Sequence, residues 1–309
     1  MVVAALVSAA CAGTDGQPGP SGANGQPGAK GEPGSKGEPG PQGDAGSGYP
    51  GPVPAGYAAA DGIKGGTAYS EWFATAAGGK GSLALAGVTV GADYVRCKSC
   101  HAWDGLGNAG SYAARTGIST GTSSRPDVAS VNLRATIATS TYQELYDLVA
   151  QPYGRPMNAG FDSRHPDYSK ALEPAQVWNL VRFMKEEWVA PNELYELQVA
   201  GPPMHYEDVA GARTLLSPAL TYSNIGTTGS AAAGKAIYAA KCAGCHGPTG
   251  TTVTLEGMTL GQFVRAKPNE AWFKIKFGQG TVMTPGLVKT TDDLRDLYKA
   301  LASTADFPD

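Results

Sequence analysis

Cys97-Lys98-Ser99-Cys100-His101 and Cys242-Ala243-Gly244-Cys245-His246 are two copies of one frame, Cys-x-x-Cys-His. They take up four of the five cysteines and two of the four histidines in a chain of 309 residues. The fifth cysteine, Cys11, stands alone near the N-terminus. A disulfide scaffold has no reason to place a His directly after the second Cys of each pair. Everything else in the sequence is read outward from these two frames.

The frame is the attachment signature of a c-type haem. Two Cys at this spacing can both reach one porphyrin edge and form thioethers with its vinyl groups. The adjacent His then lies under the ring, where its imidazole can bind iron. A thioredoxin-like pair would follow a strand in a βαβ unit, and no such pattern precedes either frame. A zinc site would use four ligands, and six are on offer.

Composition narrows the class. Charged residues make up 17% of the chain, the net charge is -3, and the sequence pI is near 5.8. That balance excludes a basic nucleic-acid binder. No apolar run reaches the ~18 residues of a membrane span.

Residues 2–10 are apolar and end in small residues, like the tail of a secretory signal. The positive n-region is missing, which fits a start lying further upstream. Cys11 is a lipidation candidate, although Ser8 stands where a lipobox carries an aliphatic residue; ordinary cleavage beside Ala10 is the alternative. From Gly13 to Gly46 a Gly falls at every third position. This collagen-like period is what three PPII chains need, because only Gly fits at their crowded axis. A flexible Gly/Pro linker keeps no such phase.

The remainder reads as helices joined by glycine-rich loops. Ser140 and Thr141, with Gln143 and Glu144 three residues on, form a capping-box pattern. Val177, Val181, Met184 and Trp188 make one helical stripe behind Pro174. Leu294, Leu297, Tyr298 and Leu301 make another behind Thr290. Shorter helical stretches, 67–75 and 231–242, precede the two frames. No alternating strand series stands out, and residues 191–228, with Pro191, Pro202, Pro203 and Pro218, read as a connector. The acidic pairs Glu186-Glu187 and Asp292-Asp293 read as helix-surface and helix-N-terminal charges.

Two stretches resemble class I cytochrome c domains. The second copy carries the resemblance in Gly234-Lys235 and Tyr238 before Cys242, and in Met283-Thr284-Pro285 before the last helix. The first carries it in Arg155-Pro156-Met157-Asn158-Ala159-Gly160-Phe161 and in Leu172-Glu173-Pro174-Ala175-Gln176-Val177-Trp178. The resemblance implies a mainly α fold: two cytochrome c-like helical domains in tandem, preceded by a collagen-like Gly-X-Y stalk. The expected layout is a signal or lipoprotein-like segment 1–12, collagen-like tract 13–48, hinge 49–59, domain 60–190, connector 191–228 and domain 229–309.

It also implies two haem c groups per chain. Cys97, Cys100, Cys242 and Cys245 would supply the thioethers, His101 and Met157 the first iron's ligands, and His246 and Met283 the second's. A thioether is a soft neutral ligand that favours Fe(II), so a His/Met site has a raised potential. His165 and His205 are rival sixth ligands that would lower it, and His165 competes with Met157 for the first iron. Met258 competes with Met283, but only Met283 sits in a Gly-flanked loop before a helix. Met184 reads as core packing. Trp72, Trp103, Trp178, Trp188 and Trp272 are expected to wall the haem pockets, and Arg155 is a candidate partner for a haem propionate.

The leading expectation is an exported electron carrier rather than an enzyme, periplasmic or at the cell surface. Its partners would be a protein electron donor and acceptor, with no nucleic acid, and a membrane only through a lipid anchor at Cys11. The tract would make it a homotrimer. The alternatives are a dihaem oxidoreductase, acting on peroxide or sulfur compounds at the first haem, and a subunit of a conductive surface assembly.

Overall fold

The computed structural model describes residues 51–74, 96–114, 132–150, 168–203, 205–280 and 282–309. The Gly-X-Y tract, Cys11, Arg155, Met157, His165 and Met204 lie outside the described residues. Ser47 to Asp309 is one compact unit. Among the described residues no helix is long and apolar enough to cross a membrane.

The first half contains α1 (Ala55–Ala58), α2 (Gly62–Glu71), α3 (Cys97–His101), α4 (Leu133–Thr139), α5 (Tyr142–Ala150) and α6 (Pro174–Arg182). The second contains α7 (Ala231–Lys241), α8 (Ala243–His246), α9 (Leu260–Ala266), α10 (Pro268–Phe277) and α11 (Thr291–Leu301). Local chemistry sets the boundaries. Asp61 caps α2 by accepting from the N–H groups of Ile63 and Lys64. Ser230, Thr259 and Thr290 do the same for α7, α9 and α11. At α5 the expected capping box is complete. Thr141 N–H donates to Glu144 Oε2 at 2.8 Å, and Glu144 N–H donates to Thr141 Oγ1 at 3.2 Å.

Each half is built on one helix crossing, and the two crossings match. A Cβ on Gly65 of α2 would stand 1.9 Å from the Asn179 carbonyl oxygen of α6. A Cβ on Gly234 of α7 would stand 1.9 Å from the Asp296 carbonyl oxygen of α11. Glycine is required at both positions because the backbones themselves touch. The side chain of the facing residue then reaches back to the helix start. Asn179 Oδ1 accepts from Asp61 N–H at 2.7 Å, and Asp296 Oδ1 accepts from Ser230 N–H at 2.7 Å. The halves are two versions of one scaffold.

Between them the expectation of no strands fails. β1 (Glu196–Ala200) pairs antiparallel with β4 (Ala219–Ser223), and β2 (His205–Val209) pairs with β3 (Ala212–Leu216). The result is one long ribbon folded back at Ala210 and Gly211, whose φ values are 51 and 82°. Pro202, Pro203 and Pro218 fall where the ladder breaks, because proline has no N–H to donate to it.

Both halves draw on one core. Phe273 and Phe277 of α10 pack against Phe183, with ring centroids at 5.7 and 5.2 Å. Gly66 of α2 leaves room for the Phe277 ring, which a Cβ would meet at 2.2 Å. The stripe of Val177, Val181, Met184 and Trp188 is buried as expected. It continues past α6 through a π turn over Phe183–Glu187, which also buries Phe183 completely. That turn carries Glu186, exposed as expected of a helix-surface charge, and Glu187, which is half-buried. Glu186 accepts from Tyr57 Oη at 2.7 Å. Glu187 pairs across the halves with the buried Lys276, Nζ to Oε2 2.9 Å, and its carbonyl accepts from the same ammonium at 3.0 Å.

Candidate functional site

In the second half α7 runs straight into its Cys-x-x-Cys-His frame: Cys242 N–H still donates to Tyr238 O at 2.8 Å. α8 then presents Cys245 to solvent and leaves Cys242 and His246 half-buried. In the first half the frame does not follow its helix directly. Arg96 stands just before α3, and its guanidinium is anchored on α2. Arg96 Nε donates to Ser70 O, and Nη2 meets Glu71 Oε1 at 3.3 Å. α3 is thereby held against α2. The expected helix 67–75 proves to be the end of α2 and a 3-10 turn, Trp72–Ala74.

The same polar contact follows each frame. Tyr69 Oη donates to Ala102 O at 2.7 Å, and Tyr238 Oη donates to Gly247 O at 2.6 Å. Each acceptor belongs to the residue after the frame's His. In the first half Trp188 Nε1 adds a bond to Trp103 O at 3.1 Å. Asp104, fully buried, accepts from the N–H groups of Leu106 and Ser111. Burial raises the Asp104 carboxyl above the ordinary carboxylate range.

The donor set fits a covalently held haem and does not fit the alternatives. None of the four frame cysteines takes part in a disulfide. Burial pushes the Cys97 thiol up to about 11, and its Sγ lies 3.8 Å from Tyr168 Oη. Burial raises Cys242 and lowers His246, which favours the neutral imidazole that can bind a metal. His246 Nδ1 is buried without a hydrogen-bond partner. Among the described residues no group of three or more His, Cys, Asp or Glu side chains forms a metal site, so the zinc reading finds no support there. Nor, among the described residues, does a βαβ unit adjoin either frame.

Met283 lies in the loop after α10, half-buried against the core, with main-chain bonds of 3.2 Å in both directions to Gln279. Met258 also packs on the core, in a tight turn with Leu255. His205 opens β2 in the ribbon. Met157 falls in the stretch between α5 and α6, outside the described residues, as Met283 falls between α10 and α11. Trp72 and Trp272 are buried in the core, and Trp103 and Trp188 flank the first frame. Trp178 instead packs on Tyr57 and Tyr146. The sequence reading placed Tyr69 in the helical stretch 67–75 but missed Gly65 and its pairing with Tyr69. Their spacing repeats that of Gly234 and Tyr238, but they stand much further along the sequence from their cysteines.

Residues 85–188 match the family described as cytochrome c, and residues 229–299 match the one described as cytochrome C oxidase, cbb3-type, subunit III. No curated protein and no solved structure matches the chain. The first match begins beyond α2, although α2 is the partner of α7 in the duplicated scaffold. The two matches, one over each Cys-x-x-Cys-His frame, support a c-type cytochrome: a haem-based electron-transfer protein with covalently bound haem c and redox partners.

Proposed function

We propose that the chain is a dihaem electron carrier with one haem c in each half. Cys97 and Cys100 hold the first and Cys242 and Cys245 the second. His101 and His246 are the axial histidines, and Met157 and Met283 the sixth ligands. The observation that carries this reading is the duplication: each frame sits beside the same glycine crossing, and each is followed by the same tyrosine contact. The haem supplies the one-electron chemistry. The chain's own residues attach it, set its axial ligands and exclude water from its faces.

The N-terminal segment belongs to the same proposal. It would export the chain to the periplasm or cell surface, with Cys11 as lipid anchor and the tract 13–48 as a trimeric stalk. The deciding experiment is a pyridine-haemochrome assay with intact mass on the purified holoprotein. Two haems per chain, not extracted by acid acetone, is the expected result. One haem, or extractable haem, overturns the reading. Ready binding of cyanide or peroxide at the first haem of the native chain would replace the carrier with an oxidoreductase.

A further inference from the structure

Both residues that follow the frame histidines share one unusual backbone conformation. Ala102 has φ 54° and ψ -167°, and Gly247 has φ 78° and ψ 171°. This region is open to glycine and strained for any residue with a Cβ. Gly247 occupies it freely. Ala102 does not, yet it holds it while 2% exposed. A strained residue persists only where its surroundings over-determine it.

What over-determines Ala102 is visible. Its carbonyl accepts the Tyr69 hydroxyl, and the next carbonyl, that of Trp103, accepts Trp188 Nε1. Tyr69 is 2% exposed, one helical turn beyond Gly65. Tyr238 stands in the same relation to Gly234 and to the Gly247 carbonyl. In each half a single helix face therefore does two things. Its glycine fixes the crossing with α6 or α11, and its tyrosine reaches from that crossing to the main chain beside the histidine.

We propose that Tyr69 and Tyr238 are positioning residues for His101 and His246, and that the first site depends on its tyrosine more than the second. The inference rests on the dihaem reading. The hydroxyl holds the carbonyl after the histidine, and with it the peptide that sets the imidazole's direction. Without the hydroxyl, Ala102 has a strained conformation to leave, whereas Gly247 has none.

The test uses the full-length holoprotein and its Tyr69→Phe and Tyr238→Phe variants. The readouts are the potential and the low-spin electron paramagnetic resonance signature of each haem. Tyr69→Phe is expected to move the signature and potential of one haem and leave the other in place. Tyr238→Phe is expected to move the other haem by less. Adding Ala102→Gly to Tyr69→Phe is expected to restore the first signature, because the strain that drives the shift is gone. Unmoved signatures in Tyr69→Phe overturn the proposal even if the melting temperature falls, since a merely structural tyrosine would act on stability alone. Equal shifts of both haems also overturn it. If Tyr69→Phe does not load haem, Ala102→Gly alone decides: a first-haem signature identical to the native one, with higher stability, supports strain at Ala102, and lower stability refutes it. A native chain carrying fewer than two haems defeats the dihaem reading itself, whatever the tyrosines do.

Discussion

Replacing Gly234 with Ala tests the duplicated crossing directly. The new Cβ would lie 1.9 Å from Asp296 O and 2.5 Å from its carbonyl carbon, against 3.4 Å for ordinary contact. The colliding atoms are backbone, so no side chain can rotate away. α7 and α11 must part by about 1.5 Å, the difference between those two distances. Overpacking of this kind costs ~3 kcal/mol, at the upper end of its usual range. The bond from Ser230 N–H to Asp296 Oδ1 would be stretched as well. Against this, Ala is favoured over Gly inside a helix by ~1 kcal/mol. The net expectation is a loss of ~2 kcal/mol, or a fall of ~4–8 °C in melting temperature for a unit of this size. Thermal unfolding of the holoprotein, followed at 222 nm and in the Soret band, measures it. If Gly234→Ala melts at or above the native temperature, the close approach is not what fixes the crossing, and the reasoning fails.

Lys276→Met should destabilise the unit by ~2 kcal/mol, because Glu187 loses its partner while remaining partly buried; adding Glu187→Gln should recover most of that loss in a double-mutant cycle. Burial and the bond to Glu186 raise the Tyr57 phenol well above its ordinary value of ~10. The folded chain then keeps a proton that the unfolded chain releases, so this part of the stability is present below pH ~10 and is lost as pH rises beyond it. Denaturant titrations across that range should show the loss, and Tyr57→Phe should flatten it. Met283→Ala should lower the potential of one haem and abolish one Met–iron charge-transfer band in the near infrared. If both bands survive, Met258 and not Met283 is the partner.

The helices of this fold were legible because their signals are local. The capping box at Thr141, the cap at Thr290 and the stripes behind Pro174 and Thr291 all lie within a few residues of the helices they define. The frames were legible because covalent attachment needs a fixed spacing. The ribbon was not, since its fold-back uses Ala210-Gly211 rather than an Asn-Gly or Asp-Gly pair. Its ladders are five residues each, and prolines at the breaks argued for a linker. Lys276 was also hidden. Nothing in Trp272-Phe273-Lys274-Ile275-Lys276-Phe277 separates the lysine that pairs with Glu187 from the one that pairs with Glu270. That distinction depends on the π turn far earlier in the chain. Gly65 and Tyr69 carried a readable signal, the same four-residue step as Gly234 and Tyr238, but at an unfamiliar distance from their cysteines.

The shared aromatic core bears on the order in which the molecule is made. The first Cys-x-x-Cys-His frame leaves the ribosome before α10, yet part of its wall comes from that helix: the Phe273 ring lies 4.7 Å from Trp103. That wall is synthesised well after the first frame. The early frame stays open until the late helix arrives, while α8 comes directly behind its own helix α7. A growing chain therefore offers its first pair of thiols for a longer interval than its second. Closure of the core over Trp103 and Phe183 is the event that ends the interval.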